Sequence, residues 1–393
     1  MKIAIITHAR RAPDSYSPPK LIRSQVFVFK KYNHDVKVIC PEGSIADFGA
    51  EKLDILPNFK RIKNVVNPEY RDKIAKILTE ALKDFDIAIT HDFYIDDCIT
   101  YREAFKLVKT DIRWAHVACS GIGSQIDFKM PRTKYIYKNY SDADRFAKSL
   151  GVTVNDVRVV FNIYDPRIIF NWHEISSEIV DKYEVFNKDI VQTYPICSTR
   201  FDAKGLNEVI EVFAELKKLN NRVLLIIANS NARKLKQEVE NRLNFAYSKG
   251  LNKDEILFTS TLRPDTLTEV PRKVVLELMS ASNLFVFPTK AEVCPNILLE
   301  ASAAGQLVVV NKNLRSLFDF VQENREALAF PFGSNYQPSF RYHDIKNIKD
   351  LASVINEQLK NSKINLSKRR VLKDFNMDTI YKNQLEPLLF ERY

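Results

Sequence analysis

Short apolar runs rich in Ile and Val, each followed by an amphipathic stretch, recur along almost the whole chain. A strand covered by helices on both faces of its sheet reads as such a run, so the alternation predicts an α/β protein built on parallel sheets. The first series of strands is predicted at 2–7 (KIAIIT), 35–40 (DVKVIC), 86–90 (DIAIT), 113–118 (RWAHVA), 133–138 (TKYIYK) and 157–161 (VRVVF). A second series follows at 189–196 (DIVQTYPI), 222–228 (RVLLIIA), 255–260 (EILFTS), 283–288 (NLFVFP) and 306–311 (QLVVVN). Between strands the spacing predicts a helix over 20–33, with Leu21, Phe27 and Val28 facing the core, and another capped by Ser141 with Asp144 three residues on.

At 393 residues the chain exceeds the roughly 250 to 300 that one core supports, so two domains are expected. Residues 166–188 lack a strand pattern and should hold the crossover. The expected division is 1–180 and 181–375, with a terminal helix at 376–393 free to return to the first domain. No run reaches the ~18 apolar residues that span a bilayer, and MKIAIITHARR leads from a strand into basic residues, the reverse of a signal peptide. A cytoplasmic location is expected. The five cysteines are scattered and never form C-x-x-C, which speaks against a disulfide framework or a zinc site.

The net charge of +10 is spread over both halves: 31 Lys and Arg stand against 26 Asp and Glu up to residue 200, and 28 against 23 thereafter. Only Arg10, Arg11, Lys20, Arg23, Lys30 and Lys31 concentrate it. A phosphate-rich acceptor or a membrane surface suits that cluster, with a solvated face as the plainer reading. The tyrosines of KMPRTKYIYKNY (129–140) alternate as in a strand, which weighs against base stacking.

Ligands of open parallel sheets bind beyond the carboxyl ends of the strands, so the segments after each strand carry the candidates. After Ile196, the stretch CSTRFDAKGLNEVIEVF places Arg200 and Lys204 in a loop and Gly205 at the start of a helix. A guanidinium and an ammonium beside unpaired helix N–H groups suit a diphosphate. After NLFVFP comes TKAEVCPNILLEASAAGQLVVV, with Glu292 in the loop, Pro295 at a helix start, Glu300 in the second turn and Gly305 at the end. Two carboxylates so placed can accept hydrogen bonds from sugar and ribose hydroxyls.

R-x-x-x-K-G after a strand, followed about ninety residues later by E-x7-E ending in EASAAG, resembles the carboxyl-terminal domain of family-four retaining glycosyltransferases. The resemblance implies the GT-B fold, two Rossmann-like doubly wound domains facing across a cleft. It implies that Arg200 and Lys204 bind the donor diphosphate, Glu300 the ribose hydroxyls, and Glu292 the transferred sugar. Gly205, Cys294 and Asn296 join the donor side. DIAITHD with His91, RWAHVACS with His116, and VRVVFNIYDP with Asn162 and Asp165 resemble amino-domain stretches of the family, His116 matching a histidine that contacts the donor sugar. His116 and Glu292 are thus the catalytic candidates, and His8, Arg10, His91 and Asn162 the candidate acceptor or sugar contacts.

The sequence also departs from the family. THARRAPDSYSPPK replaces a glycine-rich loop, Val293-Cys294-Pro295 replaces Gly-Phe-Gly, Ile163 replaces a turn glycine, and Gln306 follows Gly305 where Pro is usual. The implied activity is transfer of a sugar from a nucleotide-sugar donor to a hydroxyl, with retention and without a metal or other cofactor. A cell-surface glycan or lipid-linked sugar is the expected acceptor, with peripheral membrane contact. DNA carrying hydroxymethylated bases is an alternative acceptor, and a non-catalytic nucleotide-sugar-binding protein is an alternative class.

Overall fold

The computed structural model describes residues 1–9, 17–118, 126, 128–230, 235–292, 295–322, 325–333 and 348–391. The chain divides into two compact units, Met1–Asp165 with Asp374–Tyr393, and Pro166–Lys373. The division falls before residue 180 because helix Glu174–Tyr183 is tied into the second unit. There the buried Glu277 carboxylate accepts from the His173 backbone N–H at 3.1 and 3.0 Å and from the Ser176 hydroxyl at 2.6 Å.

Unit 1 is one parallel sheet of β1 (Lys2–Thr7), β2 (Asp35–Pro41), β3 (Glu51–Leu56), β4 (Ile87–His91), β5 (Arg113–Val117), β6 (Thr133–Tyr137) and β7 (Val157–Val159). Their order is β3-β2-β1-β4-β5-β6-β7. The direction of winding reverses between β1 and β4, which makes their carboxyl ends the switch point of the sheet. Ile3 to Ile6 are fully buried there.

Helix Ser17–Lys31 packs Ile22, Val26 and Phe29 inward, at i, i+4 and i+7. Phe27, expected in the core, lies off that stripe and is 48% exposed. The next corrected helix is Ala143–Leu150: its cap position is Asp142, and no Ser141 cap forms. Instead the Asn139 side-chain oxygen accepts the Asp142 N–H at 2.9 Å.

The terminal segment packs within unit 1. The buried Asp165 carboxylate accepts the Met377 N–H at 3.2 Å, Tyr381 stacks on Tyr32 with ring centres 3.6 Å apart, and Arg113 donates to the Leu389 carbonyl at 2.6 Å.

Unit 2 holds two parallel three-stranded ladders. The first comprises β8 (Ile190–Cys197), β9 (Val223–Ser230) and β10 (Ile256–Phe258), ordered β10-β9-β8. The second comprises β11 (Leu284–Phe287), β12 (Leu307–Asn311) and β13 (Ala327–Phe330), in that order. The ladders join along β8 and β11 through a side chain. Buried Gln192 donates to the Val286 carbonyl at 3.0 Å and accepts its N–H at 2.9 Å, while the Asn283 N–H reaches the Val191 carbonyl at 3.0 Å. An unpaired buried amide is costly, so one polar residue in the run IVQTYPI serves as the seam. The full order, 10-9-8-11-12-13, places a second switch point between β8 and β11.

Helix Lys363–Asp374 is fastened within unit 2 by two half-buried cations. Arg369 donates to the carbonyls of Ala281, Val185, Phe186 and Lys188, and Lys368 to those of Ser282 at 2.7 Å and Ala304 at 3.2 Å. Ala281, Ser282 and Ala304 lie at helix ends, where carbonyls are orphaned and the dipole favours positive charge. Arg369→Ala is expected to cost about 2 kcal/mol, lowering the melting temperature by roughly 6 °C. Scanning calorimetry checks this, and an unchanged transition would contradict it.

Candidate active site

The loops that leave β8 and β11 run side by side. The Lys290 N–H bonds the Ala203 carbonyl at 2.9 Å, and the Tyr194 hydroxyl, on β8, donates to the Lys204 carbonyl at 2.6 Å. Gly205 lets the first loop turn into helix Leu206–Lys218 at φ +69°, with Pro288 of the second loop pressed against its Cα. Lys204 and Glu292, 88 positions apart, are thereby brought together as an ion pair, with the Lys204 ammonium also 5.6 Å from the centre of the Phe287 ring. Ser316 anchors the Glu292 backbone, its hydroxyl donating to the carbonyl at 3.0 Å.

Beside this pair lies a cleft of about 880 Å³, lined by Arg200, Lys204, Asn296 and Glu300 among others. Arg200 ends a short turn, Ser198–Arg200, and is exposed to the cleft. Among the described residues its guanidinium makes no hydrogen bond, so it is available to an anion. Glu300 stands on helix Asn296–Ala303 and pairs with Arg272, the first residue of helix Arg272–Ala281. Asn296 is exposed at the start of its helix. The cleft can therefore offer two cations to phosphate and the Glu300 carboxylate to hydroxyls, with Glu292 held behind Lys204.

Sequence reasoning missed His173, Asn229, Arg263 and Arg272, all on the cleft wall. Asn229 had a readable signal, a polar residue closing an apolar strand. Its amide donates to Ser198 at 3.1 Å and Ser260 at 2.9 Å, tying the ends of three strands together. Arg263 is held by Asp265, Glu174 and Glu178. Arg10 and Cys294 lie outside the described residues.

The unit 1 candidates do not form a comparable cluster. His116 is fully buried among Phe105, Trp114 and Phe128, with Nδ1 2.6 Å from the Thr90 hydroxyl. The expected sugar contact is corrected on that ground: no atom of the ring is open to a ligand. His91 is also fully buried, its Nε2 2.9 Å from the Gln25 side-chain oxygen, so it offers no acceptor contact either. Asn162 is exposed just past β7. His8, at the switch point after β1, is partly open, but both nitrogens are engaged: Arg61 at 2.9 Å on Nδ1 and the Asp92 carbonyl at 3.1 Å on Nε2.

Burial pushes His91 and His116 down to about 3, and burial together with the Arg61 charge pushes His8 down to about 4. These rings are neutral in the folded chain and take up protons on unfolding, so their neutrality stabilises the fold above pH 6.5. That contribution is lost as pH falls from 6.5 toward 4 for His8 and toward 3 for His91 and His116, at about 1.4 kcal/mol per ring per pH unit. Urea midpoints should therefore drop between pH 7 and pH 5, and a flat profile there would contradict the buried placement.

The family comparison bears on unit 2. Residues 186–338, which contain the loops, the cleft pair and all six of its strands, match the model described as glycosyl transferases group 1. This stretch of unit 2 is a glycosyl transferases group 1 domain. Both units are built on parallel sheets, the α/β class expected from the sequence. Among solved structures, the chain is similar to a glycosyltransferase from Rickettsia africae ESF-5, at 14% identity and TM-score 0.40 over 100% of both chains. Another is Anabaena Alr3699/HepE in complex with UDP-glucose, at 14% identity and TM-score 0.36 over 99% of both. WaaG, a glycosyltransferase involved in lipopolysaccharide biosynthesis, aligns at 15% identity and TM-score 0.34 over 99% of this chain and 100% of its own. No curated protein matches the sequence. Among the described residues no group of three or more His, Cys, Asp or Glu could hold a metal ion, and no helix is long and apolar enough to cross a membrane.

Proposed function

We propose that the unit 2 cleft binds a nucleotide-diphosphate sugar and that the enzyme moves the sugar, with retention, to a hydroxyl of a cell-surface glycan or lipid-linked sugar. The observation that carries this is the meeting of Lys204 and Glu292 at the β8/β11 switch point, with Arg200 and Glu300 on the same cleft. In glycosyl transfer the departing diphosphate gains negative charge while the anomeric carbon becomes positive. Arg200 and Lys204 stabilise the first, and their charge acts most strongly where water is excluded. Lys204 exchanges its carboxylate partner for phosphate when the donor binds, which frees Glu292 to accept hydroxyl hydrogen bonds from the transferred sugar. Glu300 accepts from the ribose. The acceptor class follows the family resemblance of the motifs.

Incubation with α-configured UDP-, GDP- and ADP-sugars and a broad panel of glycan and lipid-linked acceptors tests this. Transfer giving an α-linked product, followed by proton NMR, is the expected result. A β-linked product would contradict retention, and nucleotide-sugar binding without turnover on any acceptor would favour a non-catalytic binding protein.

A further inference from the structure

Arg272 stands far from the cleft motifs in sequence, yet it reaches one of their residues. Its Nη2 donates to Oε1 of Glu300, and both residues line the cleft. The Glu300 side chain is 19% exposed and that of Arg272 73%, so the guanidinium sits on the rim above a largely covered carboxylate. Neither side chain makes another hydrogen bond among the described residues.

A glutamate on a helix has three rotatable bonds and loses rotamer freedom when a ligand fixes it. A guanidinium is an always charged donor, and its contact with one carboxylate oxygen restricts where that carboxylate can swing. With Oε1 held by Arg272, the Oε2 atom of Glu300 is left as an acceptor, and a carboxylate can accept only from donors such as hydroxyls. We propose that Arg272 is a positioning residue of the donor site, which holds Glu300 in the orientation that recognises the ribose hydroxyls of a nucleoside diphosphate. The proposal rests on the reading of the cleft as the donor site.

The test is calorimetric titration with UDP, GDP and ADP and with their 2′-deoxy and 3′-deoxy forms, on wild type, Arg272→Ala and Arg272→Lys. Wild type should bind the ribo form of its preferred nucleotide about 10- to 100-fold more tightly than a deoxy form, the value of one or two charged hydrogen bonds. In Arg272→Ala this preference should collapse to near unity, with deoxy binding and thermal stability close to wild type, and Arg272→Lys should restore part of it. An Arg272→Ala protein that keeps the ribo preference overturns the proposal, whether or not overall affinity falls. Wild type that binds none of the nucleotides, or binds ribo and deoxy forms alike, overturns the reading of the cleft itself, and the proposal falls with it.

Discussion

A Gly205→Ala variant is expected to lose about 3 kcal/mol of stability. Two separate costs combine. The position is left-handed, at φ +69°, where an L side chain pays about 1 to 2 kcal/mol. A Cβ there would also stand 2.7 Å from Pro288 Cγ, 2.8 Å from the Pro288 carbonyl oxygen and 2.9 Å from Pro288 Cβ. A ring and a backbone oxygen cannot swing aside as a flexible chain end would, so the two loops must separate. Overpacking of this kind costs typically about 1 to 3 kcal/mol. The melting transition of unit 2 should fall by roughly 10 °C. Because the same contact aligns Lys204 with Glu292, nucleotide affinity should fall as well. A transition within 2 or 3 °C (roughly one kcal/mol) of wild type would mean that the loops do not meet as described.

The second large effect concerns activity. Lys204→Ala is expected to lower kcat by roughly 100- to 1,000-fold, the usual loss when one group facing the developing negative charge is removed. The substitution also leaves Glu292, whose side chain is only 18% exposed, without its ammonium partner. Lys204→Arg should recover only part of the rate, because a planar fork does not replace a compact ammonium packed against the Phe287 ring. Steady-state kinetics with the preferred donor reads both. A kcat within threefold of wild type in Lys204→Ala would remove Lys204 from the reaction.

Much of the architecture was legible because parallel strands buried on both faces announce themselves as apolar runs. β1, with Ile3 to Ile6 fully buried, and β9, whose Val223 to Ile227 are fully buried, are of this kind. β3 carries the sequence EKLDIL and is mostly open at the sheet edge, so it has no such signature, and no strand is predicted there. β13 escaped for a different reason: ALAF is four residues long and only its first is buried. The Gln192 seam was hidden because a sequence does not reveal which neighbour a buried amide will find.

The cleft was legible to the extent that its residues follow strands. Arg200 and Lys204, which line it, occupy the loop after β8, and Glu292, paired with Lys204, the loop after β11. Arg272 lies on a helix, and nothing in its spacing from Glu300 indicates a pairing. The histidines illustrate the opposite limit. A histidine at the end of a parallel strand points to one face or the other, and in unit 1 both faces are covered around His91 and His116. Position in the order of strands therefore suggested exposure that the packing removes.

In the proposed function Arg200, Lys204 and Glu300 on the unit 2 cleft, with Glu292 beside them, hold the donor nucleotide and its sugar. Its most direct test is thermal stabilisation by UDP, GDP, ADP and their sugar conjugates, in wild type and in Arg200→Ala and Glu300→Ala. One nucleotide, with its sugar conjugates, should raise the wild-type melting temperature, and both substitutions should abolish the shift. A shift that survives both substitutions would place the nucleotide elsewhere in the chain and contradict a donor site at this cleft.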